Sequence, residues 1–546
     1  MPPVQIGSQT SWTPQERWVW NKVCSKEIAD FNREAAYGGL LDPKNPEGWN
    51  SDRRLSAEFL QTVLLSEPYR DVIPANGVRI SGAWFQDSLD FSFVTLSHVL
   101  WLSNCRFESD VLLRRLETPR LILFSGSKFV RKLNMNSVKI GQDLLMHDGA
   151  EFTEVDLTGA GIEGVLDTMS SKFTGKLNMG SLRVGQRLLM GPRAEFAEVD
   201  LIGAKIEGQV DMIGSKFTGK LEMNNLHVGQ SLLMRDKADF AEVGLTGAKI
   251  EGQLAMTSSK FTGKLNMDSL RVGQHLFMRE KAEFAWLGKE YPICLISGEI
   301  GGDMDISDSQ FPSLDLTGTK IHGELRLGSG TQKPVRWHQE ATLILRNTDV
   351  GALQDTEDAW PGKITLDDFS YSRLGGLAGD FGEIAKRKCA WFTNWLAKSE
   401  YSPQPYEQLG EVLQKAGYQE TANQVLYAGK QREKKGSGWC RSLWMFLQDV
   451  FIGYGFKLER SLYWVIILTA LGMVILTLSD QWPTPHSVLS RFFYTLDRLL
   501  PFIQLDKAYD NVTLTGYTQI YFYLHRILGY FLGFFIIAGL SGLTKK

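Results

Sequence analysis

Acidic side chains recur along the middle of this chain at one fixed spacing. Glu163, Glu207 and Glu251 lie 44 residues apart, and Asp156 and Asp200 keep the same step. Paired carboxylates are the groups with which polysaccharide-cleaving enzymes carry out general acid–base catalysis. A catalytic pair is singular, however, whereas these acids recur with a matching set of lysines. The pattern therefore favours a solvated ladder of charges, in which the lysines that balance the acids are Lys172, Lys216 and Lys260.

Other motifs that carry catalytic or cofactor chemistry are missing from the sequence. The glycine-rich run at 375–382 departs from GxGxxG, and neither GxxxxGK[ST] nor HExxH occurs. The eight histidines are scattered, and no two of the five cysteines form a CxxC pair. We therefore expect no catalytic residue, no cofactor and no metal site, and we expect that the protein is not an enzyme. Regularly spaced methionines are predicted to fill the core.

A third group of polar residues lies near the carboxyl end, between two apolar stretches. Residues 487–505 form an amphipathic segment whose charged side chains stand among leucines and phenylalanines. In an oligomer, those charges would face water rather than lipid. Glycines spaced four apart further on would let helices approach closely in a bilayer. The candidate pore and interface residues are Arg491, Asp497, Arg498, Gly529, Gly533 and Gly542.

Composition sets the limits within which these residues act. The chain has 546 residues, 43% hydrophobic and 22% charged, which excludes a disordered protein. The formal net charge of −3 provides no positive field to attract nucleic acid, so we expect no nucleic-acid partner. The first residues lack a basic leader followed by an apolar core, and we expect no cleavable signal peptide.

The middle of the chain is built from a repeat of 44 residues without gaps. Lys132-Leu-Asn-Met returns at Lys176, Lys220 and Lys264, and each repeat contains four units of 10 to 12 residues. Each unit alternates apolar and polar residues with period two, which is a strand pattern, and small residues mark the corners. The prediction is a mainly β solenoid over residues 78–379, a β-helix of about 13 coils with two coils per repeat.

Helical patterns flank the repeat on both sides. Residues 1–77 are predicted to form a helical cap, in which Ser11 or Thr13 caps a first helix, and residues 380–456 form a helical connector. Residues 457–546 contain two apolar stretches, 461–479 and 527–543, long enough to span a bilayer; a buried core hairpin is the alternative. Basic residues before the first and after the second predict that both termini are cytoplasmic. The segment between them is either an interfacial helix or a re-entrant pore helix.

Two resemblances extend this reading. The inward residues Phe152, Leu157 and Ile162 keep a step of five that resembles pentapeptide-repeat proteins, although 166–173 breaks it. That resemblance implies a right-handed, four-sided β-helix and no particular activity. Residues 380–546, with phrases such as YTLDRLLP and AGLSGL, look like uncharacterised bacterial membrane proteins that join a β-helical region to a two-span tail. Those proteins often carry a generic oxidoreductase label, for which this sequence has no residue support.

Together these features predict a protein of the bacterial inner membrane with a cytoplasmic β-helical rod. One hypothesis is an oligomeric channel or membrane-disturbing protein, a stress or defence effector, whose rod senses a cytoplasmic protein or a small molecule. The alternative is a non-conducting scaffold tethered to the membrane for protein partners. The lipid bilayer and further copies of the chain are the expected partners in the first case.

Overall fold

The computed structural model describes residues 11–288, 292–376, 384–479, 481, 487–500 and 504–540. The chain divides into two compact units, residues 1–384 and residues 385–546. The first unit combines the segments predicted as cap and solenoid, and the second combines the connector with the apolar stretches.

The first unit is a parallel β-solenoid of about 13 turns, which confirms the predicted fold class. In a representative coil, the strand Lys172–Asn178 is followed by Arg183–Val184 and Leu188–Leu189. Each strand pairs in parallel with the equivalent strand of the next coil, as Phe173 does with Phe196. A β-bulge divides the longest strand into two straight pieces, so the coil has four sides.

The same three strand positions recur throughout the stack, which runs from Val78–Ser81 to Ser370–Tyr371. Long strands carry the first two sides of most central coils, and short strands of two residues carry the other two. The long strands of the central coils are Lys128–Asn134, Glu151–Asp156, Lys172–Asn178, Glu195–Asp200, Lys216–Glu222 and Asp239–Gly244.

Successive coils differ in length, which explains why the sequence repeats after two coils. Phe152 and Phe173 are 21 residues apart, whereas Phe173 and Phe196 are 23 apart. The difference lies partly at the bulge, where one coil carries an additional glycine, Gly175. A β-carbon at Gly175 would overlap the carbonyl oxygen of Thr153 in the preceding coil, so the close approach requires glycine.

Aromatic stacking runs along the core of the solenoid. Ring centroids of neighbouring phenylalanines from Phe85 to Phe284 lie 4.3–5.2 Å apart. The predicted core methionines are also buried, and Met179, Met223 and Met267 have no exposed surface. The interior is therefore continuous from coil to coil.

The outer surface carries ladders of opposite charge. Lys128 lies 2.9 Å from Glu151 of the next coil, and Lys172 lies 3.2 Å from Glu195. The acids singled out in the sequence belong to another side of the coil. Glu207 and Glu251 follow two short strands and bind Lys205 and Lys249 of those strands, each at 2.6 Å. The expectation that the lysine column of Lys172 balances these acids was therefore wrong, because sequence spacing does not show which side of a coil a residue occupies.

Two helices, α1 (Pro14–Cys24) and α2 (Ala57–Leu65), belong to the predicted cap. Thr13, one of the two predicted cap residues, caps α1, and Glu16 completes a capping box. The short strand Ala29–Asp30 pairs in parallel with Val78–Ser81 and so extends the first layer of the solenoid. The segment between the helices is fixed by Arg53, a fully buried side chain that donates hydrogen bonds to several backbone carbonyls.

Seven further helices belong to the second unit, within the part of it that the structure describes. The seven helices are α3 (Cys389–Ala397), α4 (Gln404–Lys415), α5 (Gln419–Gly436), α6 (Trp439–Ile452), α7 (Glu459–Ser479), α8 (Val488–Leu499) and α9 (Gly516–Leu540). Helices α4 and α5 pack together as the predicted connector pair.

Replacing Phe196 with alanine will destabilise the solenoid by about 3–5 kcal/mol, because the substitution leaves a cavity within the phenylalanine stack. Phe196 is 1% exposed and stacks on Phe173 and Phe217. Phe93, which is 67% exposed, provides the matched control, for which we expect a change within about 0.5 kcal/mol. Equilibrium unfolding in urea measures both, and equal effects would contradict the role of the stack.

Candidate functional site

The two apolar stretches of the second unit form helices long enough to cross a membrane. They are α7 and α9, which confirms the two predicted candidate spans. α9 begins at Gly516, eleven residues before the predicted apolar stretch at Ile527 and five before the alternative start at Tyr521. Thr518, Phe522 and His525 in this additional portion are buried against the rest of the unit. The helix therefore extends beyond the predicted apolar stretch, and tertiary packing buries its additional polar residues.

A further helix, α6, lies at the junction of the connector with the two apolar helices. Its aromatic rings meet α9 at Phe535, which stacks on Phe451 at 5.6 Å between ring centroids and lies 5.5 Å from Trp444. Phe451 also contacts Trp464 near the start of α7. Trp439 and Trp444 remain exposed, as is typical of helices that lie at a membrane–water boundary.

Asp449 of α6 joins α5 to the start of α7. It accepts hydrogen bonds from Tyr427 at 2.7 Å and Gln431 at 2.6 Å, and Arg460 binds it at 2.9 Å. Burial raises the pKa of this carboxyl, but the hydrogen bonds and the charge of Arg460 outweigh burial and hold the pKa below its ordinary value. The start of α7 is therefore tied to the connector by a charged, hydrogen-bonded cluster.

Helix α8 is the predicted amphipathic segment, and it lies alongside α7 and α9 rather than across their ends. Its first turn meets the end of α7, where Arg491 Nη1 donates to Thr477 Oγ1 at 3.1 Å. One turn further on, Thr495 packs on Gly472 of α7. The last residue, Leu499, packs against Gly529 of α9.

These contacts place the carboxyl end of α8 deep between the two apolar helices. Gly529 follows the first residue of α9 by 13 residues, which is about 20 Å along a helix axis. A helix lying flat on a membrane surface would contact only the ends of the spans. The packing of α8 therefore favours the re-entrant alternative over the interfacial one.

The chain then returns to the end of α7 through residues 504–515. The amide of Leu505 donates to Asp497 Oδ1 at 2.6 Å, and Arg498 Nη2 donates to the carbonyl of Tyr509 at 2.7 Å. Gln481 and Thr515 exchange two hydrogen bonds where the segment closes. Two of the candidate pore residues, Asp497 and Arg498, thus hold the returning segment.

The arginine also forms an ion pair within this arrangement. Arg498 Nη1 lies 3.3 Å from Asp510, and its guanidinium lies 5.3 Å from the ring centroid of Tyr494. The side chain of Arg498 is 17% exposed, whereas Asp510 is 59% exposed. The charged residues of α8 therefore have partners inside the chain, while part of the cluster remains open to its surroundings.

The candidate glycines have different positions. Gly529 is buried, and a β-carbon there would overlap the carbonyl of Leu499 in the same chain. α8 thus occupies the surface that we expected Gly529 to offer to another copy. Gly533 is buried one turn further along α9. Gly542 lies outside the described residues.

Sequence reasoning missed two residues that position α8. His525 is 1% exposed, and its Nε2 donates to the carbonyl of Thr495 at 3.2 Å while Tyr521 donates to its Nδ1 at 3.2 Å. Gly472 of α7 provides the gap into which Thr495 fits. On a helical wheel of α9, Thr518, Phe522 and His525 lie on one face, and this pattern in the sequence could have indicated that the face is buried.

The solenoid has its own irregularity near its last coils. Asp305 is fully buried and accepts hydrogen bonds from Arg279 at 3.0 Å, Arg326 at 3.2 Å and Ser307 at 2.6 Å. Its bonds are satisfied by these neighbours, so the cluster stabilises the coil. No group of three or more metal-binding side chains occurs among the described residues.

A groove runs along another side of the solenoid. It has a volume of about 1000 Å³ and is lined by acidic residues, basic residues and glycines. Such a surface offers charge pairs and exposed backbone to a ligand. Its charged lining residues are Glu117, Lys139, Glu163, Arg183, Lys205 and Glu207.

No protein-family model matches the sequence, and searches among curated proteins and among solved structures find no significant match. The fold is therefore established by the strand pairing and the helices themselves. The resemblances to pentapeptide-repeat proteins and to two-span bacterial membrane proteins remain predictions.

Replacing Gly529 with leucine will displace the carboxyl end of α8, because the new side chain overlaps the Leu499 carbonyl. A cysteine at the fully buried Thr495 reports the movement, with the exposed Cys24 and Cys440 changed to serine. We expect maleimide to label this cysteine at least about tenfold faster than in the parent. A tenfold increase corresponds to a decrease of about 1.4 kcal/mol in the free energy of local opening.

The control for this measurement is Tyr530→Leu, which changes an exposed neighbour of Gly529. This control should leave the cysteine protected. Equal labelling of the parent and the Gly529 variant would contradict the packing of α8 on α9.

Proposed function

We propose that the protein is an oligomeric, channel-like or membrane-disturbing protein anchored by α7 and α9. The observation that carries the proposal is the packing of Leu499 against Gly529, which sets a short helix between two candidate spans. A span, a short re-entrant helix and a second span form the layout of two-span channels. The contacts of α8 support this layout for the present chain.

The charges at the end of α8 support a water-filled environment. Asp497 and Arg498 precede Leu499, which packs on Gly529 near the middle of α9, and Asp510 of the return segment pairs with Arg498. Charged groups at that depth are stable only when they pair within protein or face water. One hairpin cannot enclose a water-filled path, so the proposal includes several copies around one axis.

The solenoid is proposed as the sensing or partner-binding rod. Its outer charges are largely neutralised by pairs such as Lys176 with Glu198 at 3.1 Å, which suits a protein or small-molecule partner better than a polyanion. The charged groove along residues 117–207 is the place where we expect that partner. A stress or defence effector is the cellular role that a gated membrane protein of this kind would serve. No enzymatic activity, cofactor or metal forms part of the proposal.

A scaffold without conductance is the second candidate. Asp449 and Arg498 both have their hydrogen bonds satisfied within one chain, which is also what a rigid membrane anchor requires. In that case the solenoid would present its surface to cytoplasmic proteins, and α8 would only brace the hairpin.

The proposed location is the bacterial inner membrane, with both termini in the cytoplasm. Reporter domains inserted at Gly38 and at Asp510 should lie in opposite compartments, since one precedes α7 and the other lies between α7 and α9. Alkaline phosphatase and a fluorescent protein that folds only in the cytoplasm provide the two readouts. Reporters active on the same side would exclude a two-span hairpin.

Purified full-length protein should conduct ions in planar bilayers. Gly529→Leu, which displaces α8, and Asp497→Ala, which removes the acceptor of the Leu505 amide, should each lower the single-channel conductance or open time at least about threefold. Leu524→Ala, at an exposed position of α9 away from both Gly529 and Arg526, is the control that should conduct like the parent.

Mass measurement in detergent accompanies the recordings. Silence in every condition, together with a monomeric mass, would favour the scaffold. Steady conductance that neither substitution alters would retain the channel but exclude α8 as its lining.

A further inference from the structure

Arg526 is a charged side chain that points away from the rest of its own chain. It lies in α9, ten residues after Gly516, next to the buried His525. It is exposed, together with Ile527 and Tyr530 of the same helix. Within the described part of the chain no carboxylate lies at ion-pair distance from it.

Asp497 of α8 lies at a similar level along the hairpin. Two residues before it, Thr495 meets His525, and two residues after it, Leu499 meets Gly529. The carboxylate is therefore level with the turn of α9 that begins at Arg526. One of its oxygens accepts the amide of Leu505, and no described cation forms an ion pair with it.

The hairpin thus presents one cation and one anion at a similar level, and the two form no ion pair with each other within the chain. Both are costly in lipid without a partner, and each has the charge that the other lacks. A contact between unlike surfaces of identical subunits produces a ring when the rotation closes. Every copy can then satisfy both neighbours at once.

We propose that Arg526 of one copy pairs with Asp497 of the next copy, at mid-depth of the membrane unit. This inference rests on the proposed oligomer and adds the contact that forms it. Arg526 precedes Gly529 by three residues, so the contact uses the flank of α9 beside the face that α8 already covers. It sets α8 of one copy beside α9 of its neighbour, so that the re-entrant helices lie around one axis.

Cross-linking between two differently tagged forms of the full-length protein tests the contact. One form carries Asp497→Cys and the other Arg526→Cys, and both have the exposed Cys24 and Cys440 changed to serine. A short bis-maleimide should produce a product with both tags, at least tenfold more than when Thr513→Cys replaces Asp497→Cys. Thr513 is exposed and lies near the closing end of the return segment, so it is the control for depth.

Charge exchange provides an independent measurement. Arg526→Asp and Asp497→Arg should each reduce the oligomeric fraction at least fivefold by mass measurement in detergent. The double variant, which restores opposite charges, should recover most of that fraction. Recovery supports the pair even if each single variant folds poorly.

Three results would overturn the inference. Cross-links that join positions 497 and 526 only within one chain would show an internal pair. Failure of the double variant to recover, in a protein that remains folded by circular dichroism, would exclude the complementary contact. An oligomer that forms regardless of residue 526, together with binding of anionic lipid that Arg526→Cys weakens, would assign Arg526 to a lipid headgroup.

The inference and the proposed function fail in different ways. A conducting oligomer without the 497–526 cross-link removes the contact and leaves the channel. A silent monomer removes both.

Discussion

Coils stacked at the spacing of parallel strands bring equivalent residues side by side, and the rest of the first unit depends on this constraint. For phenylalanine the constraint is favourable, since rings repeated at 4.3–5.2 Å bury one another. For charged residues it is unfavourable, because identical charges would repel. On the side of the long strands, basic and acidic residues therefore alternate from coil to coil, as Lys172 and Glu195 do. This alternation, together with the alternating coil lengths of 21 and 23 residues between phenylalanines, explains the period of two coils.

Two arrangements neutralise charge on the solenoid. On the side of the long strands each coil offsets the charge of its neighbours. On another side Arg183, Lys205, Lys249 and Arg271 form a basic column, and acids of the same coil offset it, as Glu207 does for Lys205. Interactions with such a surface depend on local charge pairs and on shape rather than on long-range attraction. The irregular last coils, where Asp305 binds two arginines, are where this regularity ends.

In the second unit, packing depends on two glycines rather than on repeated side chains. Gly472 and Gly529 open a space between α7 and α9 into which α8 fits. The irregular chain after α8 leaves backbone groups without helical partners, and such groups need partners inside the protein at membrane depth. Asp497 and Arg498 supply them to Leu505 and Tyr509. Asp497 and Arg498, which the sequence suggests as pore residues, thus also hold the return segment in place. One helix can serve both roles.

The sequence by itself determined the parts of this protein that follow a local or periodic rule. These parts are the 44-residue repeat, the cap of α1 and the two apolar helices. Each could be predicted because it depends on neighbours in the chain or on composition. Only the tertiary structure decided the start of α9, the depth of α8, the roles of Gly529 and His525, and which lysine binds Glu207. These features depend on contacts between segments that share no period, and hydropathy contains no information about which faces of such segments meet.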